Sequence, residues 1–219
     1  MKVIELNATV TASNDADAAA LREEMKGGTL LINLMSAAGS GKTTLLGRVI
    51  RDLADVKIGV LEADIAAEVD ARAIETLGAV SIQAHTGGMC HMDAGMTAAA
   101  LHEMGYDGLD LVFLENVGNL ICPAEYDTGA GRSVMILSVP EGDDKPLKYP
   151  LMFRQSDALV ISKLDALDYF PFDLERCVER AKKLNPNIKI FPVSAKTGEG
   201  MKRLEDWLRD QLTEWRQKR

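Results

Sequence analysis

The stretch from Leu30 to Leu46, "LLINLMSAAGSGKTTLL", decides how the rest of the chain is read. A continuous apolar run gives way to small residues, two glycines and Lys-Thr-Thr, and an amphipathic segment follows. Strand, phosphate-cradling loop and helix in that order are the context in which a glycine-rich match becomes a nucleotide site. The pattern G-x-x-x-x-G-K-S/T is met except at its first glycine, which is Ser36. A small residue suffices there if the backbone needs no positive φ. Backbone N–H groups across Gly39, Ser40, Gly41, Lys42, Thr43 and Thr44 are placed to surround a β-phosphate. Lys42 adds a positive charge to the β and γ oxygens, and the Thr43 hydroxyl suits Mg²⁺.

Outward from this loop, apolar runs alternate with segments of helical period. The strand candidates are 29–35, 57–62, 79–84, 109–115, 133–139, 158–163 and 188–193; helices are predicted over 14–26, 42–54, 66–77, 91–104, 173–184 and 199–217. The alternation predicts an α/β fold: a doubly wound, mostly parallel seven-stranded sheet with helices on both faces, as in P-loop NTPases. An N-terminal helical segment (1–28) would precede one nucleotide-binding domain (29–219). The stretch "PEGDDKPLKYP" (140–150), rich in proline and charge, reads as a loop.

The 219 residues are 47% hydrophobic, enough for one large core. Lysine and arginine number 25 against 33 aspartates and glutamates, a net charge of −8 that argues against nonspecific nucleic-acid or anionic-membrane binding. No apolar run approaches the ~20 residues of a membrane span, and the start has no basic segment leading into a long apolar one, so a cytoplasmic protein is expected. Three cysteines do not make a disulfide framework, which leaves each free, buried or a metal ligand.

Four further segments stand in the order a GTPase requires. "ENVG" (115–118) ends an apolar strand and resembles the D-x-x-G switch with glutamate in place of aspartate; Glu115 would hold Mg²⁺ through water and Gly118 would sense the γ-phosphate. A buried strand with an acidic tip is the alternative. "SKLD" (162–165) resembles the guanine-reading N-K-x-D. Asp165 would accept from the two guanine donors that adenine lacks, and the Lys163 stem would cover the base. Ser162 replaces the usual asparagine, which leaves the degree of guanine selectivity open. "SAK" (Ser194, Ala195, Lys196) matches the loop that offers a backbone N–H to guanine O6. In "EADIAAEVD" (62–70), Asp64 and Asp70 are candidates for Mg²⁺ contact at a switch I position, or equally solvated carboxylates at a helix start.

"HTGGMCHMDAGM" (85–96) sets Cys90 beside His91 at the predicted start of a helix, where the dipole would favour a thiolate. Cys122, in "NLICPAEYD", follows another strand, so both segments should emerge at the carboxyl edge of the sheet with the phosphate loop. Two thiolates and an imidazole suit Zn²⁺, or Ni²⁺ in a more planar geometry, although spacing alone also allows two unrelated cysteines. Cys177 falls on an apolar helical stripe and reads as core. His85 and His102 have no cysteine neighbours and are assigned structural places.

The segments "NLMSAAGSGKTTLL", "EADIAAEVDA", "HTGGMCHMDA" and "ENVGNLICPAEYD", with "SKLD" and "SAKTGEG" behind them, together resemble the HypB family of hydrogenase nickel-incorporation GTPases. That family sits in the dimerising P-loop class that also includes the urease accessory GTPase. The resemblance covers roughly 14 to 215. It implies that Ser36 is the family's own variant, and that GTP/GDP and Mg²⁺ bind at the loop and switches. It further implies that Cys90, His91 and Cys122 take Ni²⁺, or Zn²⁺ at the same site, at a nucleotide-dependent homodimer interface. The partners it implies are the nickel-binding maturation protein HypA and the hydrogenase large-subunit precursor, with no nucleic acid and no membrane. The N-terminal segment lacks a cysteine motif and a histidine-rich tract, so a further tight nickel site or nickel store is not expected. Hydrolysis should be slow, because no arginine finger is evident. Two rivals are a metal chaperone for which hydrolysis is incidental, and a small-molecule kinase, which would want an arginine-rich lid at 140–150 and would leave "SKLD" without a role.

Overall fold

The computed structural model describes residues 6–63, 74, 76–86 and 88–218. The strands are β1 (Leu30–Ser36), β2 (Ile58–Ala63), β3 (Val80–Ala84), β4 (Leu111–Glu115), β5 (Arg132–Ser138), β6 (Ala158–Ser162) and β7 (Lys189–Pro192). The helices among the described residues are α1 (Leu6–Met25), α2 (Lys42–Asp52), α3 (Ala94–Met104), α4 (Cys122–Glu125), α5 (Lys145–Lys148), α6 (Pro150–Gln155), α7 (Leu174–Leu184) and α8 (Met201–Gln217). Two 3-10 turns lie at Val139–Glu141 and Leu164–Tyr169.

All seven strands are parallel, in the order β3-β2-β4-β1-β5-β6-β7. Every residue of β1 and of β6 is buried, as a sheet covered on both faces requires. The chain winds from β1 toward β2 and β3 on one side, and later through β5, β6 and β7 on the other. The carboxyl end of β1 is therefore a switch point of the topology, where open α/β sheets form a crevice.

The seven predicted strands are present within a residue or two of their expected ends. Two expectations need correction. The loop expected at 140–150 contains the turn α5 and runs into α6, because Asp144 and the prolines at Pro146 and Pro150 start helical turns instead of preventing them. The first helix begins at Leu6 instead of residue 14. Most of the helix expected over 66–77 lies outside the described residues.

Helix α1 packs on α3, held by a few specific contacts. Arg22 donates to both carboxylate oxygens of Asp127 at 2.7 and 2.6 Å. Burial pulls the Asp127 carboxyl upward, but the Arg22 guanidinium and the Gly129 N–H outweigh it and leave its pKa below the ordinary carboxylate value. A lowered folded pKa contributes stability that is complete above the unfolded carboxylate range and is lost as pH falls through the folded value. With both side chains about a third exposed, solvent screening limits it to about 1 kcal/mol or less. Hydrogen-exchange protection of α1 should therefore fall in acid before that of β1, and Asp127→Asn should flatten this early loss. Equal acid sensitivity of α1 in both proteins would contradict the assignment.

Candidate functional site

The phosphate loop turns at two glycines in the left-handed region, Gly39 (φ 74°) and Gly41 (φ 95°), where a side chain would be strained. Ser36 needs no such conformation. It is fully buried, and its hydroxyl accepts from Lys42 Nζ at 3.0 Å while donating to the Ala37 carbonyl. The residue at the first-glycine position thus steadies the lysine within the loop. Lys42 opens α2 directly after Gly41, so the unpaired N–H groups of the first turn face the loop.

Glu115 closes β4 beside β1, and its Oε1 lies 3.9 Å from Lys42 Nζ. Gly118 abuts the loop: a Cβ there would come within 3.0 Å of Ala38 N and 3.1 Å of Ala38 Cα. A side chain at 118 would push loop and switch apart. Glu62, which the sequence reading left unassigned, is in register with Glu115 across β2 and β4 and is 3% exposed. Paired strand residues present their side chains on one face of the sheet, so two carboxylates stand together there. Two adjacent carboxylates supply hard oxygen donors of the kind Mg²⁺ takes. Asp64 and Asp70 lie outside the described residues.

Of the two remaining segments, "SKLD" meets the loop and "SAK" meets "SKLD". Ser162, in the asparagine position, donates its hydroxyl to the Ser40 carbonyl at 2.7 Å and so ties the end of β6 to the phosphate loop. Lys163 crosses the loop and donates from Nζ to the Gly39 carbonyl at 2.7 Å. Alone among the described non-glycine residues it has a positive φ, 59°, which costs on the order of 1–3 kcal/mol unless the surroundings hold it. Asp165 Oδ1 accepts from Ser194 Oγ at 2.6 Å, joining "SKLD" to "SAK". One part of the expectation changes: the Ser194 N–H is engaged by the Glu199 carbonyl, so any backbone donor toward a base comes from Ala195 or Lys196.

On the same carboxyl edge, one ligand atom from each of Cys90, His91 and Cys122 lies within 4.8 Å of the others. A turn closed by Thr86 Oγ1 on the Met89 carbonyl presents Cys90, and the Asn119 carboxamide accepting from Ile121 N presents Cys122 as the first residue of α4. The two sulfurs are 2.8 Å apart, with no disulfide between them. A hydrogen bond shared with the Cys90 thiol and then burial hold the Cys122 thiol above its ordinary pKa, while burial lowers that of His91 and favours the neutral imidazole a metal needs. The His91 ring stacks on Tyr126 at 3.8 Å between centroids and 13° between planes. Sulfur and imidazole donors converging on one point fit a soft or borderline cation such as Ni²⁺ or Zn²⁺, once the sulfurs part to metal-bonding distance.

The helix expected to begin beside Cys90 begins instead at Ala94. Its N-terminus is taken by Asp93, whose carboxylate accepts from Met96 N, and by Asn14 of α1, which accepts from Ala94 N. Cys90 thus lies outside the first turn of α3, ahead of the Asp93 cap. Cys177 is buried in the core between α7 and the sheet, and burial pushes its thiol up to about 12. His102 contacts Glu24 of α1 at 2.8 Å, a structural tie, and His85 is exposed. Among the described residues no helix is long and apolar enough to cross a membrane.

The parallel sheet and the loop at its switch point define a P-loop nucleotide-binding domain. A family profile described as "CobW/HypB/UreG, nucleotide-binding domain" matches residues 30–192. The hydrogenase maturation factor HypB of Rhizobium leguminosarum bv. viciae is 42% identical over 209 residues, which are 94% of this chain and 70% of that protein. The crystal structure of HypB from Helicobacter pylori in complex with nickel superposes with a TM-score of 0.87 at 39% identity, covering 92% of this chain and 96% of that one. HypB from Archaeoglobus fulgidus gives 0.86 at 38% identity, covering 92% and 99%. The chain belongs to the CobW/HypB/UreG family, and these relatives place it in its HypB branch of hydrogenase maturation factors.

Proposed function

We propose that this protein is a metal-regulated GTPase that binds nickel and delivers it during NiFe-hydrogenase maturation. The observation that carries the reading is the single short segment 115–122. It starts at a carboxylate beside Lys42, passes Gly118 against the phosphate loop, and ends at a thiol of the cysteine–histidine cluster. Lys42 and the loop amides hold the triphosphate, Asp165 and the Ala195–Lys196 backbone read the base, and Thr43 with Glu115 holds Mg²⁺. When bound, Mg²⁺ neutralises phosphate charge; the chain's own part is to position the triphosphate and an attacking water, which makes intrinsic turnover slow.

Nickel is cargo in this scheme. The exposed Met89 and Ile121 flank Cys90 and Cys122, an apolar rim that closing two subunits would cover. A two-fold homodimer would pool two triads into one fully coordinated site. Resemblance supplies the further partners, HypA and the hydrogenase large-subunit precursor. In light scattering, a nonhydrolysable GTP analogue should produce a dimer that GDP does not, and nickel should strengthen it. A monomer under all these conditions would refute the dimer.

For the base, Asp165→Asn should lose the preference for GTP over ATP, since an amide cannot accept both guanine donors as a carboxylate does. Competition of ATP against a labelled guanine nucleotide checks this. If the unmodified protein already takes ATP as tightly as GTP, the guanine reading of "SKLD" is wrong.

A further inference from the structure

Between Glu115 and Gly118 stands a polar side chain that the nucleotide chemistry leaves unused. Asn116 is 1% exposed, yet its amide is well partnered. Its Oδ1 accepts from Val117 N at 2.9 Å and from Met92 N at 3.3 Å, and its Nδ2 donates to Asn33 Oδ1 at 3.1 Å. Its own N–H donates to the Leu34 carbonyl at 3.1 Å. A buried carboxamide is costly unless such partners are supplied, and Asn33 is a second polar residue, 3% exposed, in a strand otherwise apolar up to its last residue, Ser36. The two asparagines therefore form a small buried polar network at the centre of the sheet.

The placement of this network gives it a role. Consecutive side chains of an extended chain point to opposite faces, so Glu115 reaches toward Lys42 while Asn116 reaches toward Met92, the residue after His91. One peptide unit separates the group that faces the nucleotide from the group that grips the metal-binding segment. The Asn33 bond holds the same amide to β1, whose end becomes the phosphate loop. A packed, hydrogen-bonded link of this kind moves as a unit, because buried polar groups lose much when left unpaired.

We infer that Asn116 is the positioning residue that couples the nucleotide to the nickel site, holding the Cys90–His91 segment in register with the switch. This rests on the metal-coupled GTPase reading above. The test compares nickel affinity in GDP with that in a nonhydrolysable GTP analogue, for the full chain and its variants. In the unmodified protein the two affinities should differ. In Asn116→Ala the ratio should move toward unity by roughly tenfold, or to unity if the starting ratio is smaller, while affinity in GDP stays within about threefold. Asn116→Asp, which keeps both acceptor bonds and can take a donor from a rotated Asn33 amide, should preserve the ratio. Should the alanine variant not fold, Asn116→Ser replaces it: the hydroxyl stays beside Val117 but is too short to reach Met92.

Coupling that survives in Asn116→Ala or Asn116→Ser, or that is lost equally in Asn116→Asp, overturns the role of Asn116 alone. Equal affinities in the unmodified protein overturn the coupled reading itself. A merely structural pin would lower the melting temperature of Asn116→Ala and leave the ratio intact, and that result also overturns the inference.

Discussion

Lys42→Ala is expected to abolish measurable GTP hydrolysis, a fall of at least about a hundredfold, and to weaken triphosphate binding by about 1.5–3 kcal/mol. The lysine sits where its charge is worth most: its ammonium is held by Ser36 Oγ at 3.0 Å, and Glu115 is at 3.9 Å. Both it and Glu115 are largely shielded from solvent, with side-chain exposures of 12% and 14%. A charge-assisted contact in such surroundings exceeds its value in water. The substitution also removes the cation that Ser36 and Glu115 both face. GDP should suffer less than GTP, because fewer phosphate oxygens face the amine. Nickel binding in the absence of nucleotide should persist. Steady-state phosphate release and nucleotide titration measure all of this, and unchanged turnover would remove the loop from the active site.

Cys122→Ala carries the second large effect. Removing one of three converging donors should lower nickel affinity by more than about a hundredfold, beyond the 10–100-fold typical of disturbing groups that only orient a ligand. Guanine nucleotide binding should be nearly unaffected, because the thiol lies past Gly118 and makes no contact with the phosphate loop among the interactions described above. A parallel loss of nucleotide affinity would mean that α4 is a structural support of the switch. Cys177→Ala is the control: its thiol is buried in the core with its pKa raised to about 12, so it should change stability and leave nickel binding alone.

Much of this architecture was legible in the sequence, for identifiable reasons. Apolar runs of strand length separated by helical periods left little choice but a parallel sheet, and "AAGSGKTT" after such a run located its switch point. Segments leaving the carboxyl ends of β3 and β4, on either side of β2, allowed Cys90, His91 and Cys122 to meet, and it was the family resemblance that implied they do. The failures have physical causes too. Asp93 outcompeted Cys90 for the helix start because a carboxylate caps N–H groups and a thiol does not. Tyr126 and Asn14, which brace the two ligand segments, announce themselves by no motif, since their partners are distant in sequence. Glu62 passed as the end of a strand until register placed it beside Glu115. The one available signal for the asparagine network was Asn33, a carboxamide inside "LLINLM", where an unpaired polar group would be prohibitive.

Ser162 shows the same limit in another form. Compared with N-K-x-D it reads as a weakened motif, whereas the structure has its hydroxyl fastening β6 to the Ser40 carbonyl. The residue's work lies in joining two loops, and a hydroxyl of the right reach accomplishes it. Lys163, strained at a φ of 59°, is held by its bond to the Gly39 carbonyl, so the base-side loop and the phosphate loop are one mechanical piece.

The central claim is that the phosphate loop and the cysteine–histidine cluster are two ends of one device. Equilibrium titration of nickel into the unmodified protein, once saturated with GDP and once with a nonhydrolysable GTP analogue, tests it most directly. The account predicts dissociation constants that differ by at least about fivefold, with the same factor recovered when nucleotide is titrated in the presence and absence of nickel. Identical nickel affinities in the two nucleotide states would contradict it and leave a nucleotide-binding domain with an independent metal site.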